Sequence, residues 1–221
     1  AFIVLDDADM DTAIKWGVWG RMNNTGECCV AAKRFILHEK IADDFLARFK
    51  QELETLVPGD PMDPNTTLGP LCSESALQLI QTQIGSAVEG GAKVLLGGKR
   101  IARHGYFIEP TILTGITPGN PVYHQELFAP VALVFRVNDE DEAIRLANDS
   151  PYCLGGSIIT KNIDRGRRIA RQIDTGMVFI NGATWTAPDL PFGGVKNSGY
   201  GRELAALGIG EFVNKKLIRV A

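Results

Sequence analysis

No two cysteines of this chain have the C-x-x-C spacing of a metal knuckle, and the three histidines, His38, His104 and His124, stand far apart. That leaves a zinc site without a recognisable ligand set. No long Lys/Arg run occurs and the net charge is only -3, so a nucleic-acid partner has no electrostatic footprint. No apolar stretch approaches the roughly 20 residues that a helix needs to span a bilayer. A basic-then-apolar leader with a cleavage site is missing too. Neither a Walker A motif nor a full G-x-G-x-x-G is found: after Gly199-Tyr-Gly201, Leu204 stands where the third glycine belongs. The sequence holds no internal repeat and no low-complexity segment.

The chain does have 221 residues, 45% of them hydrophobic, enough for one substantial core. It opens at Ala1, directly inside the apolar run Ala1-Phe-Ile-Val-Leu5. It is therefore expected to be a piece of a longer polypeptide, with an active site that the cut can divide. Four cysteines, Cys28, Cys29, Cys72 and Cys153, read as reduced thiols of a cytoplasmic protein. A disulfide between the neighbours Cys28 and Cys29 would be strained.

Helical and strand periods alternate along the sequence. Ile41, Phe45, Phe49, Leu53 and Leu56 share one face and predict a helix over 39–56, stopped before Pro58-Gly59. Leu77, Ile80, Ile84 and Val88 predict a second, ended by Gly90-Gly91. Shorter helices are expected over 139–148 and 162–173. Between them, the β-branched runs at 35–37, 93–96, 131–135, 156–159 and 177–180 predict strands. The alternation specifies an α/β domain with a largely parallel sheet flanked by helices. The tail, 214–220, reads as one further C-terminal strand, expected to pair elsewhere, for instance with another subunit.

Three segments could carry chemistry. In Gly26-Glu-Cys-Cys29-Val-Ala-Ala-Lys-Arg34, a thiol follows a glycine turn between a helix and a strand. Backbone N–H groups at such a turn can lower a thiol pKa and hold a developing oxyanion. A free cysteine is equally a small buried hydrophobe, so the segment alone leaves both readings open. In Tyr123-His-Gln-Glu126-Leu-Phe128-Ala-Pro130, a carboxylate and a ring stand two residues apart before a strand. They suit a ribose and a flat nicotinamide, or simply a loop acid and a core Phe. In Pro191-Phe-Gly-Gly-Val-Lys-Asn-Ser-Gly-Tyr-Gly-Arg-Glu203, four glycines in thirteen residues fit a ligand loop or a purely structural one.

In this order and at these separations, the three segments resemble the aldehyde dehydrogenase superfamily over essentially the whole chain. The resemblance makes Cys29, rather than Cys28, the nucleophile. It implies that Glu126 holds the nicotinamide ribose, that Phe128 borders the nicotinamide, and that Glu203 is a second carboxylate relaying protons. Ala129 replaces the family's usual glycine. The general base, an oxyanion amide and the coenzyme domain are expected ahead of Ala1. Residues 1–198 would form the catalytic domain, with 199–221 a helix and strand packing on the coenzyme or oligomerisation region.

Within the superfamily the segment is most similar to bacterial succinate-semialdehyde dehydrogenases. That implies NAD, with NADP an alternative, an aldehyde substrate, and self-association as a dimer or tetramer. Asn23 stands where many of these enzymes have an Arg that holds the substrate carboxylate. Cys28, Trp185 and Thr186 fall on the same substrate side, and Trp185 could equally be packing. Two other classes compete: a thiol hydrolase, for which His38 is a poor base beyond a strand, and a non-catalytic interaction domain.

Overall fold

A computed structural model describes residues 1–221. The chain runs β1 (Phe2–Val4), α1 (Met10–Met22), β2 (Arg34–His38), α2 (Glu39–Glu54), α3 (Glu74–Glu89), β3 (Lys93–Leu96), β4 (Thr111–Thr114), β5 (Val131–Val137), α4 (Glu140–Asn148), β6 (Tyr152–Cys153), β7 (Gly155–Ile159), α5 (Ile163–Ala170), β8 (Met177–Ile180), β9 (Val195–Lys196) and α6 (Ala205–Gly210). Seven strands form one sheet in the order β3-β4-β5-β2-β1-β7-β8. Every neighbouring pair is parallel except β3 with β4. The α/β class expected from the alternation is the one observed.

Helix boundaries follow local chemistry. Side chains of Asp9, Ser73, Asp139 and Asn162 each accept from a backbone N–H three residues on, so each caps a helix N-terminus. Gly90 caps the end of α3. Strands with period-two side chains feed the two faces of the sheet. Phe2, Val4, Phe35 and Leu37 pack with Phe45 and Phe49 of α2 on one face. Ile3, Leu5, Ile36 and Ile158 pack with Ala143 and Ile169 on the other. A third cluster seats α3 through Leu77, Ile80 and Ile84 against β4 and β5. Phe35 is central, with ring centroids 5.1 Å from Phe2 and 5.0 Å from Phe49. Truncating such a ring to alanine costs about 3–5 kcal/mol.

α1 sits close enough to the sheet that a Cβ on Gly17 would stand 3.3 Å from the Phe35 ring. This tight seat fixes the direction in which α1 delivers the cysteine loop. The turn between β1 and α1 is pinned by charge: Arg165 reaches Asp6 at 2.8 Å and Asp7 at 2.9 Å, and Asp7 also accepts from Thr160 at 2.7 Å.

Residues 214–220, expected as a strand pairing outside this fold, join no ladder within the chain, and Phe212, Leu217, Ile218 and Val220 are exposed. The reason is geometric: backbone groups make a strand only against a neighbour, and the nearest sheet edges are not brought alongside these residues. A small two-stranded sheet of β6 and β9 was absent from the sequence reading. Its pairs, two residues long, carry no periodic signal.

Candidate active site

α1 ends at Met22, and the backbone then makes an unusual turn. Asn24, Thr25 and Gly26 follow one another with φ of 50°, 55° and 75°. Left-handed backbone costs a non-glycine residue on the order of 1–3 kcal/mol, so surrounding contacts must hold it. They are present. Fully buried Arg21 donates to the Gly26 carbonyl at 2.6 Å, and Asn24 Nδ2 donates to the Glu27 carbonyl at 2.8 Å. Glu27 Oε2 accepts from the Cys72 N–H at 2.9 Å, anchoring the turn to the start of α3. Gly26 itself lies against the main chain of Ala129. Ala129 is fully buried and outside the left-handed region, so the methyl that replaces the family's glycine is accommodated.

Cys28 and Cys29 follow this turn as free thiols, Cys28 half-buried and Cys29 exposed. Cys29 lines a cavity of about 250 Å³. Its wall gathers Lys33, Arg34, Glu126, Tyr123, His124 and Thr184. Ala1, Arg34 and Gly155 also lie on it, so the cavity opens at the amino ends of β1, β2 and β7. Parallel sheets more often bind ligands at the carboxyl ends of their strands. Here α1 runs back between the parallel strands β1 and β2, so the loop after it, with the thiol, lies at their amino ends.

Lys33 is the hub of the wall. Its Nζ donates to the carbonyls of Cys28, Cys29 and Ala31 at 3.3, 3.4 and 3.3 Å and pairs with Glu126 Oε1 at 2.9 Å. The same ammonium stands 5.5 Å from the Phe128 ring centroid. Burial, then the charge of Arg21, pulls its pKa down, while Glu126 pushes it up. Burial pushes the pKa of the Cys29 thiol up from its ordinary value. Neighbouring Cys28 is the next cause; Lys33 and the N–H groups of Val30 and Cys29 act against both.

The other expected residues are placed as follows. Asn23 and Phe128, with Glu27, line a second, wider groove rather than the cavity of Cys29. Trp185 and Thr186 are exposed and line neither concavity, whereas Thr184, unremarked in the sequence, is buried on the cavity wall and donates to the Gly156 carbonyl at 3.3 Å. Glu203 is exposed, pairs through its backbone with Phe192, and stands off the cavity wall. Within the glycine-rich run, a Cβ on Gly194 would stand 2.6 Å from the Ser198 side chain, so the loop's own packing requires that glycine. His38 ends β2 and its Nδ1 accepts from the Lys40 N–H, away from Cys29. Lys33 and Arg34 lay in plain view in the cysteine segment. Their inward direction was hidden because charged residues beside a loop ordinarily face water.

A thiol, a cation and a carboxylate thus share one wall, in the segments singled out from the sequence. Residues 1–218 match the aldehyde dehydrogenase family. This chain belongs to that family. It is 52% identical over 218 residues to the succinate-semialdehyde dehydrogenase [NADP(+)] of Deinococcus radiodurans, covering 99% of this chain and 46% of that protein. The solved succinic semialdehyde dehydrogenase of Streptococcus pyogenes, in complex with NADP+, superposes with a TM-score of 0.97 at 46% identity, over 99% of this chain and 48% of that one. PnpE, solved in complex with nicotinamide adenine dinucleotide, gives 0.93 at 38% identity, over 96% and 44% respectively. This aldehyde dehydrogenase chain spans about half the length of the curated relatives it matches. No helix in it is long and apolar enough to cross a membrane.

Proposed function

We propose that this chain carries the covalent chemistry of an NAD(P)-dependent aldehyde dehydrogenase whose substrate is succinate semialdehyde. The convergence of Cys29 and Glu126 on one cavity carries the reading. The Cys29 thiolate adds to the aldehyde carbonyl, forming a C–S bond and an alkoxide. The N–H groups of Cys29 and Val30 favour the ionised sulfur and are the main-chain donors this reading assigns to that charge. Hydride leaves the tetrahedral carbon, the carbonyl reforms as a thioester, and water then releases the acid and regenerates the thiol. A bound nicotinamide supplies the hydride acceptor.

The residues present suit that coenzyme. Glu126 is exposed, with Oε1 paired to Lys33 and Oε2 without a protein donor, so it can accept from a ribose hydroxyl. Phe128 is 41% exposed and offers an open ring face. The base that activates water belongs, by resemblance, ahead of Ala1, and Ala1 lies on the cavity wall. Glu203 keeps its role as second carboxylate by resemblance alone. Asn23, Cys28, Trp185 and Thr186 form the substrate side of the proposal. The names of the relatives favour NADP and succinate semialdehyde. The enzyme works as a cytoplasmic dimer or tetramer, a reading supported by four free thiols and the apolar tail.

The test uses the full-length enzyme. Cys29→Ala abolishes coenzyme reduction with succinate semialdehyde, while Cys28→Ala leaves measurable turnover. Activity surviving in Cys29→Ala, or equal loss in both variants, overturns the assignment.

A further inference from the structure

We propose that Lys33 is a positioning residue of this site, which fixes the Cys29 turn and supplies the positive charge that sets how readily its thiol ionises. The proposal deepens the reading of Cys29 as the nucleophile and rests on it. An ammonium has three N–H donors and no acceptor. Here it meets four acceptors: three main-chain carbonyls from the cysteine loop and one carboxylate oxygen from a segment 93 residues further along the chain. The carbonyls of Cys28, Cys29 and Ala31 converge on Nζ as they would on a bound cation. Without that charge their dipoles point at one another, and the loop loses its reason to close.

The side chain is only 15% exposed, so solvent screens its charge weakly. The other charged and titratable groups around the thiol are Cys28 on its own loop, Arg21 on α1, Arg34 on β2, Tyr123, His124 and Glu126 on the segment before β5, Tyr152 on β6 and the amino group of Ala1. Arg21 already spends one donor on the Gly26 carbonyl. Arg34 stacks 5.6 Å from the Tyr123 ring centroid and 5.3 Å from that of Phe135. The charge of Lys33 lowers the pKa of the Cys29 thiol, against desolvation and Cys28. Glu126 partly neutralises it, so the same ion pair links the thiol to the carboxylate proposed for the ribose.

Two substitutions in the full-length enzyme move the thiol in opposite directions. The readout is the iodoacetamide alkylation rate at Cys29, followed against pH by mass spectrometry without aldehyde or coenzyme. Lys33→Met raises the pH midpoint of alkylation and slows the reaction at neutral pH by about tenfold, a tenfold loss of thiolate matching a one-unit rise in thiol pKa. Lys33→Arg restores most of the rate. Glu126→Gln leaves Lys33 uncompensated and speeds alkylation. A midpoint unchanged in Lys33→Met overturns the proposal. If that variant does not fold, Glu126→Gln decides instead: an alkylation rate no faster than the parent's overturns it. The reading of Cys29 as nucleophile fails separately, through aldehyde oxidation in Cys29→Ala, which the alkylation profile does not report.

Discussion

Gly26 and Ala129 lie so close that a Cβ on Gly26 would stand 2.5 Å from the Ala129 carbonyl carbon. The nucleophile turn and the segment carrying Glu126 and Phe128 are therefore closed against each other through bare backbone. The same Cβ would stand 2.7 Å from Arg21 Nη2, the donor that holds the Gly26 carbonyl.

Gly26→Ala is accordingly expected to destabilise the fold. Its φ of 75° alone costs an alanine about 1–3 kcal/mol, and the overlap with Ala129 adds to that. Thermal or urea unfolding of the variant checks this, and an unchanged midpoint contradicts the close contact. Aldehyde oxidation falls with it, because the thiol loop can no longer seat against the Glu126 segment.

Glu126→Gln tests the coenzyme contact. Losing one charge-assisted hydrogen bond to the ribose is worth on the order of 1–3 kcal/mol. Hydride transfer slows and the KM for the coenzyme rises, while thioester hydrolysis keeps its rate. Unaltered coenzyme KM and kcat in stopped-flow and steady-state measurements remove Glu126 from that role.

The two threonines of the 183–186 loop separate structure from specificity. Thr184 is buried and bonded to the Gly156 carbonyl, so Thr184→Val lowers stability by about 1 kcal/mol, the net worth of a typical hydrogen bond. Thr186 is exposed and has no such partner. Thr186→Val therefore leaves the melting temperature alone and raises KM for succinate semialdehyde more than for butyraldehyde, which lacks the carboxylate. Equal rises for both aldehydes count against carboxylate recognition by this loop.

Asp6 supplies a pH test of the fold. The Arg165 guanidinium holds its carboxyl below the usual range, outweighing partial burial. A folded-state pKa below the unfolded one stabilises the protein above the unfolded value, about 4, and that contribution disappears as pH falls through the folded value. Asp6→Asn should be less stable than the parent at neutral pH. The difference in urea midpoint should shrink steadily below about pH 4. A gap that stays constant down to pH 2 rules out the Arg165 pairing as its source.

Long-period signals were the readable ones. The face Ile41, Phe45, Phe49, Leu53 places α2 within two residues, and Met177–Ile180 is a strand as its β-branched and aromatic content predicts. The helix expected ahead of the cysteine turn had no readable bounds, because Gly17 and Gly20 interrupt the apolar face of α1, and both are there for close packing rather than for helix propensity. β4, Thr111–Thr114, has four residues and too little pattern. At the site, motif spacing singled out Cys29 and Glu126. Lys33 became visible only in three dimensions, since nothing in Val30-Ala-Ala-Lys33 says that its ammonium folds back onto the carbonyls of Cys28, Cys29 and Ala31.

β1 is an inner strand of the sheet. β1 has β2 on one side, about thirty residues on, and β7 on the other, with Ile3 opposite Ile158. Pairings so distant in sequence raise contact order and slow folding, since the loop must close before the contacts reward it. During synthesis, Phe2, Ile3 and Val4 must wait with one hydrogen-bonding edge open until Gly155–Ile159 has been made. An apolar strand with an unpaired edge for that interval is a template for pairing with other chains.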